Sequence, residues 1–286
     1  MKAGNLKKLI ERYQVLIFFL MGLAISWSIW IPMALDQLNI IQFKIPIIVG
    51  QSIGAFGPLI SLFILDKISK GAIGLKEIFD SIRIKGERII WLIPAALILP
   101  LLTILGNIIN FFIGNESQLN ILKSEPLVLL GYGLFGVIPL LLFAGLFSSP
   151  LFEEPCWRGY GLRKLQGRFG RHIGSLLLGT YWWLWHQPIN IANGLEVNLY
   201  SYLLMLSYSF IFDSIYNLSN KNLLSAMFAH SSAIVTYTFI YQSDNLYVLL
   251  MFLIVIITLR ILEWKRRESI SAFKEEQVVI QPEKSL

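Results

Sequence analysis

Two adjacent carboxylates, Glu153 and Glu154, stand at the end of a long apolar run, and a histidine, His186, lies deep in the next one. Neither is cheap in hydrocarbon, where a charged side chain at the bilayer centre costs at least ~2.5–3.5 kcal/mol. Arg158 lies four residues after Glu154, so on a helix it reaches back to hold that carboxylate ionised and oriented. The sequence predicts a helix that breaks near Ser148-Ser149-Pro150 and restarts at the glutamates, with Pro155 in its first turn. Carboxylates there gain from the macrodipole. The plain alternative is an acid pair capping a helix at the membrane surface, with Arg158 as an interfacial anchor.

The histidines weigh against that alternative. Of the three in the chain, His172 sits beside Arg171 at a predicted membrane boundary, whereas His186 and His230 fall inside apolar runs on different spans. A single intramembrane histidine is accounted for by one interhelical hydrogen bond. Two of them with an acid pair make a converging polar centre. Imidazole and carboxylate activate water either through a zinc ion or by direct general-base catalysis. Residue types alone lead to a buried Glu/His site, hydrolytic or proton-coupled, and leave both open.

The elements that must position these groups are membrane spans. Of 286 residues, 55% are hydrophobic and only 15% charged, against roughly 25% charged in a soluble domain; the mean hydropathy is +0.63. The apolar residues come in blocks of about twenty, enough to cross the hydrocarbon layer as helices. The expected architecture is all-α: a polytopic bundle of about eight helices at roughly 14–35, 45–65, 89–113, 127–150, 172–190, 198–216, 222–242 and 246–262. Residues 1–267 form one transmembrane domain, followed by a polar, disordered cytoplasmic tail over 268–286. With the N-terminus inside, every basic residue of the 24 except Lys44 and Lys123 falls on the cytoplasmic side, as the positive-inside rule requires. Both termini are then cytoplasmic, in a multi-pass cell-membrane protein. The net charge of +6 is thereby a topology signal rather than a nucleic-acid footprint. The first apolar run shows no small-residue cleavage site and is read as a retained span.

Smaller features fill in the picture. Trp27, Trp30, Trp91 and Trp264 are placed in interfacial belts. Gly50, Gly54 and Gly57 with Pro58 thin one face of the second span for close helix approach. The 66–88 loop mixes apolar and basic residues and is expected as an amphipathic helix on the anionic inner leaflet. Cys156 is the lone cysteine, which excludes a disulfide framework and a Cys-rich zinc site; it is read as structural. Asp213, near an end of the sixth span, is read as a boundary residue. No internal or inverted repeat is evident, which weighs against a transporter.

The stretch Glu153-Glu154-Pro155-Cys156-Trp157-Arg158-Gly159-Tyr160 resembles the Glu-Glu-x-x-x-Arg motif of the CAAX protease and bacteriocin-processing (CPBP) intramembrane proteases. It is closest in pattern to the bacterial subgroup reading Glu-Glu-Pro-Gly-Trp-Arg-Gly-Tyr followed by Leu-Gln, supplied here by Leu165-Gln166. The aromatic-x-x-x-His motif resembles Trp182 to His186, and the third histidine motif ends at His230. The likeness covers about 145–235, plus Gly-Ala-Phe-Gly-Pro at 54–58.

What the resemblance implies is an intramembrane endopeptidase of a bacterial plasma membrane, acting on a peptide or prenylated protein. Glu153, Glu154, Arg158, His186 and His230 are its implied catalytic residues. Glu153 would be the general base, Glu154 fixed by Arg158, with a possible Zn2+ held by Glu154, His186 and His230, or no metal in a glutamate-dependent mechanism. The family's asparagine four residues past the third histidine is replaced by Ile234, which offers no donor; Tyr237, nearly on the same helix face, is the candidate substitute. Ile234 also keeps open a non-catalytic relative acting in bacteriocin self-immunity, with a proton-coupled transporter as the third reading.

Overall fold

The computed structural model describes residues 3–69, 74–83, 86–123, 142, 145–241 and 245–280. The described chain is helical, apart from one isolated antiparallel bridge between Leu122 and Ile240. Helix α1 (Ala3–Gln37) is followed by α2 (Ile47–Ala55) and α3 (Gly57–Ile68), short α4 (Leu75–Asp80), and α5 (Leu92–Phe112) after a 3-10 turn. Then come α6 (Ser149–Glu154), a π-helical segment (Pro155–Leu162), α7 (Arg163–Phe169), α8 (Arg171–Ala192), α9 (Leu199–Leu218), α10 (Leu223–Phe239) and α11 (Leu246–Ile280). Helices stand at seven of the eight predicted spans; most of the fourth, at 127–150, lies outside the described residues. Among the described residues, four stretches are long and apolar enough to cross a membrane: Arg12–Gln37, Ile47–Ile68, Ile89–Phe112 and Leu246–Ser269. The protein is a polytopic helical membrane protein.

Close backbone approach sets one side of the bundle. A side chain at Gly54 would run into the Trp30 indole, and one at Gly57 into Ser26. The space so freed lets Ser26 Oγ donate to Gly54 O at 2.8 Å and Trp30 Nε1 to Gly50 O at 3.0 Å. The α1 face continues into α8: Trp185 Nε1 donates to Ser26 Oγ at 2.8 Å and Trp27 Nε1 to Trp185 O at 3.0 Å. Trp30, 1% exposed, is therefore a core residue rather than part of an interfacial belt. These indoles pack where two helices meet, and their N–H groups find carbonyls there.

Three further expectations are corrected. The 151–171 segment, placed on the cytoplasmic side by its basic residues, is the helix expected at the glutamates, but it lies inside the bundle: every residue from Glu153 to Leu162 is buried. Among the described residues of the 66–88 loop the new helix is only α4, and it docks inward. Ile78 is buried against Gly159, where a Cβ would leave it no room. Asn222 Nδ2 clamps this loop by donating to Ser81 O and Arg83 O, both at 3.0 Å, while its Oδ1 caps α10 through Ser225 N. Finally, the backbone beyond Arg267 continues α11 to Ile280 instead of becoming disordered.

The Gly54 contact gives a direct test of this packing. Gly54→Val should lower the thermal unfolding midpoint in detergent by an overpacking cost of about 1–3 kcal/mol, whereas an unchanged midpoint would show that α1 and α2 do not meet at Trp30.

Candidate active site

The motif helix starts earlier than the acid pair. Ser149 opens α6 with Pro150 in its first turn, so Glu153 and Glu154 lie one turn inside rather than at a helix N-terminus. The backbone then widens into the π segment at Pro155. Proline has no N–H to give to the preceding turn, and single π turns recur at functional sites. The segment is continuous and buried, so its polar side chains must find partners inside the bundle.

They do. Arg158, with no exposed side-chain surface, donates from Nη1 to Glu154 Oε1 at 3.0 Å and from Nε to Asp213 Oδ1 at 3.0 Å. Its Nη2 donates to Ser209 Oγ at 3.1 Å. The guanidinium carbon also lies 5.4 Å from the Trp182 ring centre and 5.0 Å from that of Phe212, a favourable placement for a desolvated cation. Asp213 is thus an internal counter-ion, not a boundary residue. Ser209 and Asp213 are four apart on α9 and share one face; Gly179 admits that face, since a Cβ there would press on Leu206 and Ser209.

The two glutamates are held differently. Glu153, 2% exposed, accepts two indole N–H groups on one oxygen, from Trp157 at 2.9 Å and Trp182 at 3.1 Å. Its Oε1 has no hydrogen-bond partner among the described residues. Glu154 accepts on Oε1 from Arg158 and from His230 Nδ1 at 2.8 Å, and its buried Oε2 is unpartnered.

Both histidine tautomers follow from their partners. His186 Nδ1 meets the Trp182 carbonyl at 2.8 Å, and His230 Nδ1 meets a carboxylate oxygen; each partner only accepts. Both imidazoles therefore carry the Nδ1 proton and keep Nε2 available. Trp182 ties the site together, its ring standing edge-on to His186 at 5.3 Å and to His230 at 5.4 Å. Glu153 and His230 are both within electrostatic reach of His186. All five residues expected from sequence are thus brought to one centre, while His172 is exposed.

The proposed zinc ligands meet a stricter test. The unpartnered Glu154 Oε2 and the two free Nε2 atoms have suitable chemistry. Among the described residues, however, no three His, Cys, Asp or Glu side chains converge as a metal-binding group. Glu154 Oε1 is already taken by a guanidinium and an imidazole. Glu154, His186 and His230 as arranged here do not fit a zinc site.

Tyr237 does not replace the missing asparagine. It is 52% exposed, and its ring and carbonyl engage Lys123 instead. Asp213 and Ser209 were the residues whose role sequence reasoning missed; the available signal was their four-residue spacing on an otherwise apolar helix. Cys156 is buried, with Sγ against the Phe152 carbonyl at 3.3 Å, consistent with a structural role. Replacing Arg158 with leucine strands two carboxylates in the core, so the variant should lose about 3–5 kcal/mol of stability, read as a lower unfolding midpoint or loss of folded protein. An unchanged midpoint would mean that the ion pairs are dispensable.

Residues 134–236 match the family model described as Type II CAAX prenyl endopeptidase Rce1-like. A 57-residue stretch is 40% identical to CAAX prenyl protease 2 of Methanococcus maripaludis, covering 20% of this chain and 20% of that protein. The aligned region is thus about a fifth of the length of the curated relative. Both similarities to CAAX proteases fall on the motif-bearing part of the chain, where the acid pair, the arginine and both histidines are joined at one centre.

Proposed function

We propose that this protein is an intramembrane endopeptidase in which Glu153 activates the hydrolytic water without a metal ion. The observation that carries the reading is the unequal treatment of the two carboxylates. Glu153 is desolvated and held by two neutral N–H donors on one oxygen, leaving the other to take a proton. Glu154 instead faces a guanidinium and an imidazole and serves to orient and compensate them.

In the proposed reaction Glu153 removes a proton from water as its oxygen attacks the scissile carbonyl carbon. The same proton then passes to the leaving amine as the C–N bond breaks. His186 Nε2 accepts a hydrogen bond that orients the water. His230, held by Glu154 through Nδ1, turns its Nε2 edge toward the substrate, and the proton it takes up during the reaction would be donated to the carbonyl oxygen as charge develops there. That assignment supplies the donor that Ile234 cannot. The similarity to a CAAX prenyl endopeptidase model supports a substrate with a prenylated C-terminal peptide, whose lipid would enter from the bilayer and whose polar end would approach from the cytoplasmic side.

Cleavage of a prenylated CAAX reporter peptide by the protein in vesicles tests the proposal. Wild type should cleave with a chelator present, and Glu153→Gln should abolish turnover while inserting and folding normally. Cleavage that is lost on chelation and restored by zinc would contradict the metal-free assignment. A second reading, a non-catalytic immunity factor, is favoured by Ile234 and the outward Tyr237; it requires Glu153→Gln to retain the biological effect.

A further inference from the structure

The charges of the site do not stop at Asp213. Arg260 of α11 packs against the same helix, its guanidinium over Phe210, three residues before Asp213, and its charge bears on Asp213. Arg260 Nη2 donates to Ser175 Oγ at 2.8 Å, and Ser175, on α8, is itself within reach of Asp213. Arg260 Nη1 contacts both oxygens of Glu263 at 3.4 Å, and Glu263 pairs with Arg171 at the start of α8. Glu263 and Ser175 are buried, and Gln166 of α7 closes the cluster by donating to Ser175 Oγ at 3.2 Å. The Arg260 guanidinium further lies 5.0 Å from the Phe210 ring centre.

The result is two ion-paired groups of alternating sign, Glu154–Arg158–Asp213 and Arg260–Glu263–Arg171, facing each other beside Ser175 and together equal in acids and bases. Such an arrangement lets charges tolerate burial, because each has at least one opposite charge beside it. Its weak joint is Asp213. One oxygen accepts from Arg158, while the other, Oδ2, is buried without a hydrogen bond, as is Arg260 Nε. Asp213 is therefore balanced by the charge of Arg260 rather than by a direct bond. Arg158 in turn divides its donors between Asp213 and Glu154, and what Asp213 demands sets what Glu154 receives.

We propose that Arg260, outside every motif of the chain, is a positioning residue for the site: it compensates Asp213 and so leaves Arg158 free to hold Glu154 against His230. The proposal rests on the hydrolase reading, because what Arg260 positions is the Glu154–His230 pair used in the reaction. It also makes α11 a functional part of the site, although none of its side chains is among those that gather around Glu153.

A double-mutant cycle tests it, read in kcat, KM and unfolding midpoint. Arg260→Gln should lower kcat about tenfold with KM little changed, in the range of coupling between residues of one network. Arg260→Lys should restore part of the loss. In an Asp213→Asn background, Arg260→Gln should cost little more, since its partner's charge is already gone. Independent, multiplicative losses in kcat, or a lysine variant as impaired as the glutamine one, would overturn the proposal. Should Arg260→Gln fail to fold, Arg260→Lys carries the same cycle. If wild type cleaves nothing, the hydrolase reading fails instead, and the cycle in unfolding midpoints still decides the coupling: additive shifts overturn it.

Discussion

A guanidinium with no exposed surface is the constraint around which this bundle is arranged. Arg158 enters the core on a helix too polar to lie against lipid, and its desolvation is offset only if anionic partners meet it in good geometry. Glu154 comes from the preceding turn of the same segment, Asp213 and Ser209 from a helix more than fifty residues later. The close packing of α8 and α9 at Gly179, the inward docking of α4 at Gly159 and the buried π segment all serve that meeting. The aromatic groups complete it: Trp182 and Phe212 lie against the cation and exclude water, and the Trp182 N–H reaches across to Glu153.

The same arrangement separates two chemically identical neighbours. Glu153 and Glu154 are consecutive in sequence, but consecutive helical side chains diverge and meet different surroundings. One faces indole donors, which stabilise an anion without supplying countercharge. The other faces cations and is bound into an ion-paired group. A base that must take up and release a proton suits the first environment, and a fixed counter-ion suits the second.

Much of the fold was legible because lipid imposes a simple rule: a spanning helix needs a run of apolar residues, and the runs at 14–35, 45–65 and 89–113 are plain to read. The rule misleads where polar residues are satisfied internally. Residues 151–171 carry as many charges as a loop, yet Arg158 spends its charge inside the protein, so counting it as a topology signal was an error of partner, not of residue type. Asp213 was undervalued for the same reason, since its counter-ion is distant in sequence. Trp27 and Trp30 matched the composition of a belt, and only the fold revealed what they meet, Trp30 the glycine face of α2 and Trp27 the α8 backbone at Trp185. Candidate site residues were legible through their motifs, and the partner of each through hydrogen bonds alone. His186 and His230 are joined to Glu154 as metal ligands by residue type; that one Glu154 oxygen is already shared by Arg158 and His230 is visible only in the hydrogen bonds.

The central claim is that the two adjacent glutamates are not equivalent, one being reactive and the other structural. Parallel unfolding midpoints of purified Glu153→Gln and Glu154→Gln measure this most directly. The account predicts that Glu153→Gln melts close to wild type, because an amide oxygen still accepts from both indoles. Glu154→Gln should melt clearly lower, because it removes the charge facing Arg158. Equal destabilisation of both variants, or the reverse order, would contradict it.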